Sequence, residues 1–403
     1  MYIRATCLVT MIGISKLYLG TVEPSDPLRY GRQAKQLPSH LLQFSADKKP
    51  VVVWNVTPAC NLKCRHCYAV TADTTSDMLD HAAGMKLIDD LADFGCPVLL
   101  FSGGEPMTRR DLPDLIAYAV GRGMRAVIST NGMLLTPELA ARYKALGLSY
   151  VGISIDGLRE THDRFRRQAG AFDSAIAAVR LCRSIGLKVG LRFTIFKENA
   201  PDIPGIFQLM RDENVPRVCF YHLVYSGRGA ELASEDLDHA ATRKVVDQII
   251  EGAADLQRQG LPTEVLTVDN HCDGPYLYLR MLRENNPRAA GVLDLLKMNG
   301  GNSTGVGIGC VSWDGTVYPD QFWRNQPLGN VREKPFSKIW SDRSHPLLGK
   351  LKEKKLHVTG RCARCKFLDI CGGNFRARAE AATGDLWAPD PACYLTDEEI
   401  GLA

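Results

Sequence analysis

Val51-Val52-Val53-Trp54-Asn55-Val56-Thr57-Pro58-Ala59-Cys60-Asn61-Leu62-Lys63-Cys64-Arg65-His66-Cys67-Tyr68 is the stretch on which the fold turns. Its apolar, β-branched start, Val51–Trp54, reads as a buried strand. The loop after the strand carries three thiols, spaced x3 and x2. Three thiolates are one short of the set that closes a zinc site or a cubane iron–sulfur cluster. One reading is a structural zinc with His66 as fourth ligand, although a histidine adjoining Cys67 is poorly spaced for a tetrahedral site. The other is a [4Fe–4S] cluster with one iron left open for a substrate or cofactor, and an open position is what makes a metal site catalytic.

Outward from this loop, five more short apolar runs follow: Val98–Phe101, Met124–Ser129, Tyr150–Ile155, Lys188–Ile195 and Arg217–Leu223. Segments with helical spacing separate them, for example Leu87, Ile88, Leu91 and Phe94, or Leu112, Leu115 and Ile116. Thr136 before Pro137, and Asp202, read as N-caps, while Gly95, Gly123, Gly147 and Gly186 close helices. Six strands alternating with helices predict parallel β/α units, coiled by right-handed crossovers into a doubly wound sheet or an open barrel. Sites in such folds sit at the carboxyl ends of the strands. The polar loops Ser102–Pro106, Ser129–Gly132 and Ser154–Gly157 all fall there.

Past residue 229 the alternation breaks. Residues 230–300 read as mostly helical, with Ala241–Gln259 the clearest helix and one short strand near Glu264–Val268. A glycine-rich stretch, Gly300–Gly309, precedes a hairpin-like unit with Asp314-Gly315 as a two-residue turn. The expected division is an N-terminal arm (1–50), an α/β domain (51–229), a mostly helical bridge (230–300) and a C-terminal extension (301–403).

Composition narrows the class. The 403 residues are 45% apolar and 23% charged, which excludes disordered and fibrous chains. A net charge of +4 makes no case for nucleic acid, and no apolar stretch approaches the ~20 residues of a membrane span. The opening residues lack the charged n-region and cleavage site of a signal peptide, and Met11 is an alternative start. Thirteen cysteines are the informative number. Seven fall in two groups, read as metal ligands in a reducing cytoplasm rather than as disulfides. The second group, Cys362-x2-Cys365-x5-Cys371-x21-Cys393, supplies four thiolates, enough to close a cluster or to hold zinc. Cys7, Cys96, Cys182, Cys219 and Cys272 lack metal spacing and read as small buried hydrophobes.

Cys60-x3-Cys64-x2-Cys67 with Tyr68 next, following a first strand, resembles the signature of the radical S-adenosylmethionine (SAM) enzymes. The resemblance implies an α/β fold, a partial (β/α)6 barrel. It also implies a [4Fe–4S] cluster whose open iron chelates SAM, with one electron cleaving the sulfonium to a 5′-deoxyadenosyl radical. By the same resemblance, Tyr68 and Gly103-Gly104-Glu105 would face SAM, the latter at its amino group, and Ser129 and Asn131 would meet the ribose. Ser154 and Arg166 would hold the carboxylate, with Arg164 and Arg167 near enough to leave that arginine open, and Asp156 in the same strand-end motif is a further cofactor-binding candidate. The second cysteine group resembles the outer auxiliary cluster of the SPASM extension that follows many such domains. The inner-cluster pattern is broken: Cys310 and Gly315 are followed by Asp320 where a second cysteine belongs, and Phe375 stands at another ligand position. Two [4Fe–4S] clusters are therefore expected, with Cys310 a core thiol.

A closer resemblance is to the tetrapyrrole-modifying branch, which serves the siroheme-dependent haem route and d1-type haem formation. Val52–Asn55, Asp163–Arg167, Tyr225–Gly229, Gly300–Asn302, Trp313–Gly315 and Cys371–Asn374 carry it. The N-terminal run Met11–Tyr18, with Gly20–Asp26, points within that branch to removal of acetate side chains. The implied partners are an iron tetrapyrrole and a low-potential electron donor, with no nucleic acid and no membrane. Such a substrate needs arginines and an axial ligand. Arg192 and Arg228 are candidates to touch SAM or this substrate, Arg192 being counted with the cofactor-binding residues. His222 and His271 are candidates for the iron, and Trp313, Phe322 and Trp323 could flank a macrocycle. Alternatives are a sister enzyme (d1-haem side-chain removal or propionate decarboxylation) and a peptide-modifying radical enzyme, whose leader-binding module has no room before Val51. A non-catalytic iron–sulfur or zinc scaffold would leave the strand-end motifs unexplained.

Overall fold

The computed structural model describes residues 11–21, 49–69, 75–261 and 263–402; Cys7 and the run Val22–Asp26 lie outside them. The described strands are β1 (Met11–Gly13), β2 (Val51–Asn55), β3 (Val98–Ser102), β4 (Arg125–Thr130), β5 (Tyr150–Ser154) and β6 (Val189–Ile195). They continue as β7 (Arg217–His222), β8 (Glu264–Val268), β9 (Ile308–Val311), β10 (Thr316–Tyr318) and β11 (Gly329–Asn330). All join one open sheet in the order β1-β8-β7-β6-β5-β4-β3-β2-β9-β10-β11. From β2 to β8 every neighbour is parallel.

Helices α1 (His81–Phe94), α2 (Leu112–Gly121) and α3 (Pro137–Ala145) carry the chain between successive strands, followed by α4 (Arg159–Arg166) and α5 (Ala171–Ser184). The pattern ends with α6 (Ile203–Asp212) after β6 and α7 (His239–Arg258) after β7. The result is a mixed α/β partial barrel, the open-barrel form of the two that the alternation allowed and the one the family resemblance implied. Every residue of β2 is buried, as expected of a parallel strand covered on both faces. Asp80 caps α1 through the Ala83 N–H at 2.8 Å, and Leu87, Ile88 and Leu91 turn inward under β2 and β3. Thr136 caps α3, as its spacing predicts. Asp202 does not cap α6. Its backbone is already helical (φ −81°, ψ −11°), and its carboxylate accepts the Leu158 N–H at 2.9 Å.

The sheet runs through the expected boundaries at 229 and 300. β8 adds a further parallel strand, β9 pairs parallel with β2, and β1 pairs antiparallel with β8. The β9–β10 turn is also longer than the Asp314-Gly315 pair suggests. Ser312 N–H bonds to Thr316 O and Gly315 N–H returns to Ser312 O, with Gly315 at φ +89°. That is the three-residue loop that places glycine in the left-handed position. Among the described residues, no helix is long and apolar enough to cross a membrane.

Candidate active site at the carboxyl ends of the strands

Side chains from β2 through β7 line one cavity of about 1050 Å³, measured with its open mouth. Ser102, Ser129, Ser154, Arg192 and Tyr221 each come from a different strand, so the sheet must curve around the space they share. The loop after β2 brings Cys60, Cys64 and Cys67 to the same wall, with Tyr68 beside them. Burial, reinforced by the charges of Glu105, Cys64 and Cys67, pushes the Cys60 thiol up to about 12. Bound cations would relieve that penalty, since metal binding takes the proton off a ligating thiol.

The cysteine loop is held by backbone. Gly104 N–H donates to Thr57 O and Glu105 N–H to Ala59 O, each at 2.8 Å. A Cβ on Gly104 would stand 2.1 Å from Ala59 O, and one on Gly103 2.6 Å from Thr57 O. Glu105 is buried and fully engaged: it accepts from Thr130 Oγ1 (2.8 Å), Asn131 N (2.9 Å) and Met107 N (3.2 Å). Asn131 in turn donates to Asn61 Oδ1 at 2.8 Å, back into the cysteine loop. Both Gly103-Gly104 and Asn131 line the cavity.

Of the three neighbouring arginines, the fold turns Arg166 inward. It lines the cavity, pairs with buried Asp156 and donates to Cys64 Sγ at 3.5 Å. Arg164 goes to Glu198 at the surface. Asp156 lies behind the wall, where it also accepts the Thr194 N–H at 3.0 Å. His66 faces Asp156 at 3.7 Å and stacks on Phe165. Among the described residues, no three His, Cys, Asp or Glu donors converge on one point that could hold a single ion. A polynuclear cluster, which keeps its thiolates further apart, does not ask for such convergence.

Arg192 lies over the Tyr221 ring at 4.6 Å and lines the cavity; among the described residues no carboxylate pairs with it. His222 reaches the wall with Nε2 on Asp273 Oδ2 at 2.9 Å. The structure does not bring His271 to this cavity. It is buried elsewhere, its N–H on Asn374 Oδ1, because the turn after β8 points it away. Arg228 also lies off the wall and donates to Cys64 O at 2.8 Å. Phe322 does line the cavity, edge-on to Tyr68, whereas Trp323 is buried and bonds to Glu380.

The strand-end rule could have found two further wall residues, Tyr221 and Asp269. Asp269 follows β8 at φ +66°, nearly fully buried, with Oδ2 unpartnered. Burial, with Asp320 nearby, pushes its carboxyl up to about 7 against Arg378, Arg192 and His222. The folded state therefore binds a proton that the unfolded chain has lost, and this group's contribution to stability falls as pH rises from about 4 to about 7. Asp269→Asn keeps a residue type that tolerates positive φ. It is expected to melt a few degrees above the parent at pH 8 and level with it at pH 4. Equal melting temperatures at both pH values would remove the assignment.

A second cavity, about 380 Å³, is lined by Cys362, Cys365, Cys371 and Cys393, and by Cys272. At the broken inner pattern, Asp320 is occupied by Thr304 Oγ1 (2.7 Å) and the N–H groups of Phe322 and Trp323, and Phe375 packs on Phe322. Cys310 is buried against Val53 and Tyr318.

Comparison with known proteins agrees with this geometry. Residues 54–210 match the model of the Radical SAM superfamily, and residues 307–366 that of the SPASM iron-sulfur cluster-binding domain. Fe-coproporphyrin III synthase of Methanosarcina barkeri is 62% identical over 97% of this chain and 99% of its own. Pre-heme d1 synthase of Dinoroseobacter shibae is 42% identical over 88% of each. In fold, the chain resembles anSMEcpe with bound AdoMet and peptide (TM-score 0.66, 17% identity, covering 88% of this chain and 97% of that one). The chain therefore belongs to the radical SAM superfamily, within the SPASM-bearing group that includes Fe-coproporphyrin III synthase.

Proposed function

We propose that this protein is an Fe-coproporphyrin III synthase, removing the acetate side chains of 12,18-didecarboxysiroheme from two rings and leaving methyl groups. The observation that carries the reading is 62% identity over nearly the whole of both chains, against 42% to the pre-heme d1 synthase. When bound, SAM and its cluster supply a 5′-deoxyadenosyl radical for hydrogen abstraction. Cys60, Cys64 and Cys67 would hold that cluster, and Cys362, Cys365, Cys371 and Cys393 a second one. Two clusters in all is the reading favoured by Asp320 and Phe375, whose positions serve the chain's own contacts.

The other residues divide by what they can still bind. Glu105 has its oxygens engaged by Thr130 at the end of β4, by Asn131 just past it and by Met107 in its own loop, so the Gly103-Gly104 backbone and Tyr68 are left to face SAM. Ser129 and Asn131 suit the ribose, and Ser154 with Arg166 the carboxylate, Asp156 holding Arg166 in place. Arg192, a cation with no carboxylate of its own among the described residues, suits an acidic side chain of the tetrapyrrole or SAM. With Nε2 committed to Asp273, His222 keeps the Nδ1 lone pair for the substrate iron. Arg228 positions Cys64 through its carbonyl. A low-potential donor must supply the electron, and the free thiols suit a reducing cytoplasm.

The test is anaerobic turnover of reconstituted protein with SAM, a low-potential reductant and 12,18-didecarboxysiroheme, followed by mass. Loss of two acetate-sized units together with 5′-deoxyadenosine is expected. Deoxyadenosine without change in the tetrapyrrole would keep the radical chemistry and discard this substrate.

A further inference from the structure

Five thiols face the second cavity, yet a four-iron cluster takes four. The fifth, Cys272, lies more than a hundred residues upstream of Cys393 and has no cysteine within metal spacing. It ends the turn after β8 and begins the helix Asp273–Arg283. It packs in the hydrophobic core, as expected of a small buried thiol, and it also has polar neighbours. Sγ lies 3.0 Å from Asn270 Oδ1 and 3.8 Å from the carbonyl of Ala392, the residue before Cys393. Asn270 Nδ2 donates to that same carbonyl at 2.9 Å, so the two segments are pinned together. Cys272 and Cys393 line the same cavity, and the Ala392 carbonyl that Cys272 Sγ approaches belongs to the residue before Cys393. Cys272 is also fully buried, so its sulfur has no solvent to turn toward.

We infer that Cys272 is a fifth thiol of the auxiliary cluster site, able to bind the iron that Cys393 holds. Ligation exchanges its S–H bond for an Fe–S bond and releases the proton to water, with no change in oxidation state. This rests on the two-cluster reading above. It alters the expected result of removing Cys393: a four-thiol set loses its cluster, whereas a five-thiol set keeps one.

The experiment compares iron content and the low-temperature EPR of the reduced protein in the parent, Cys393→Ala, Cys272→Ala and the double variant. The parent and both single variants are expected to hold about eight irons per chain, and the double variant about four. The SAM-binding cluster, measured through its response to added SAM, is the internal control for folding. Equal iron loss in Cys393→Ala and the double variant overturns the inference. A parent holding about four irons would instead overturn the two-cluster reading. Should Cys393→Ala not fold, the auxiliary EPR signal of Cys272→Ala decides: a changed signal supports the fifth thiol, and an unchanged one overturns it.

Discussion

Gly104→Ala is expected to lower 5′-deoxyadenosine formation by about a hundredfold, the usual effect of displacing a reacting group by about 1 Å. The added methyl would stand 2.1 Å from Ala59 O and 2.8 Å from Pro58 O, both backbone atoms with no rotamer to escape into. Relief must come from moving the loop, and the next residue in that loop is Cys60. Iron should therefore fall toward about four per chain, with the auxiliary EPR signal retained. Gly121→Ala is the matched control. Its Cβ would meet nothing within 4 Å, and it sits at the end of a helix, where alanine is at worst neutral. Full deoxyadenosine formation by Gly104→Ala would show that the loop tolerates the shift and that tight backbone packing does not place Cys60.

The same contrast between near and far explains what the sequence discloses. β2 to β7 are legible because a strand covered on both faces is largely apolar, and β3, β4 and β5 end on polar loops. Cys60, Cys64 and Cys67, and likewise Cys362, Cys365 and Cys371, are legible as groups because they are neighbours in the chain. Cys272 is not, since its partner Cys393 is brought to it by the turn after β8 and by the Asn270–Ala392 bond. His222 and His271 look alike as isolated histidines. Only the end of β7 and the carboxylate of Asp273 put the first on the cavity wall, while the second faces away. Asp202 and the Asp314-Gly315 turn miss for a local reason. In each, a backbone already committed by the preceding residues overrides the preference of the side chain.

Arg378 and Asp390 show how the distant parts are tied, and breaking them should have the largest effect on stability. Both side chains are fully buried and form a two-pronged pair, Nε to Oδ1 at 2.9 Å and Nη2 to Oδ2 at 2.8 Å. Arg378 also donates to Leu223 O (3.0 Å) and Asp269 O (2.9 Å), just past β7 and β8. Asp390 accepts the N–H groups of Phe375 and Ala392. The pair thus joins the segment carrying Cys371 and Cys393 to the strand ends that present His222 and Asp269. Removing one partner strands a buried charge, so Asp390→Ala is expected to cost about 3–5 kcal/mol, read from the urea midpoint. Replacing both, as Arg378→Met with Asp390→Leu, should recover most of that loss, because two apolar groups strand no charge. It would still leave the Leu223 and Asp269 carbonyls without their donor, so turnover should stay depressed after stability returns. A double variant that regains stability and activity together would show that the pair serves packing alone. A single variant within about 1 kcal/mol of the parent would mean that water reaches the site. Recovery of stability without recovery of turnover is the outcome that makes this buried pair the mechanical link between the auxiliary cysteines and the cavity.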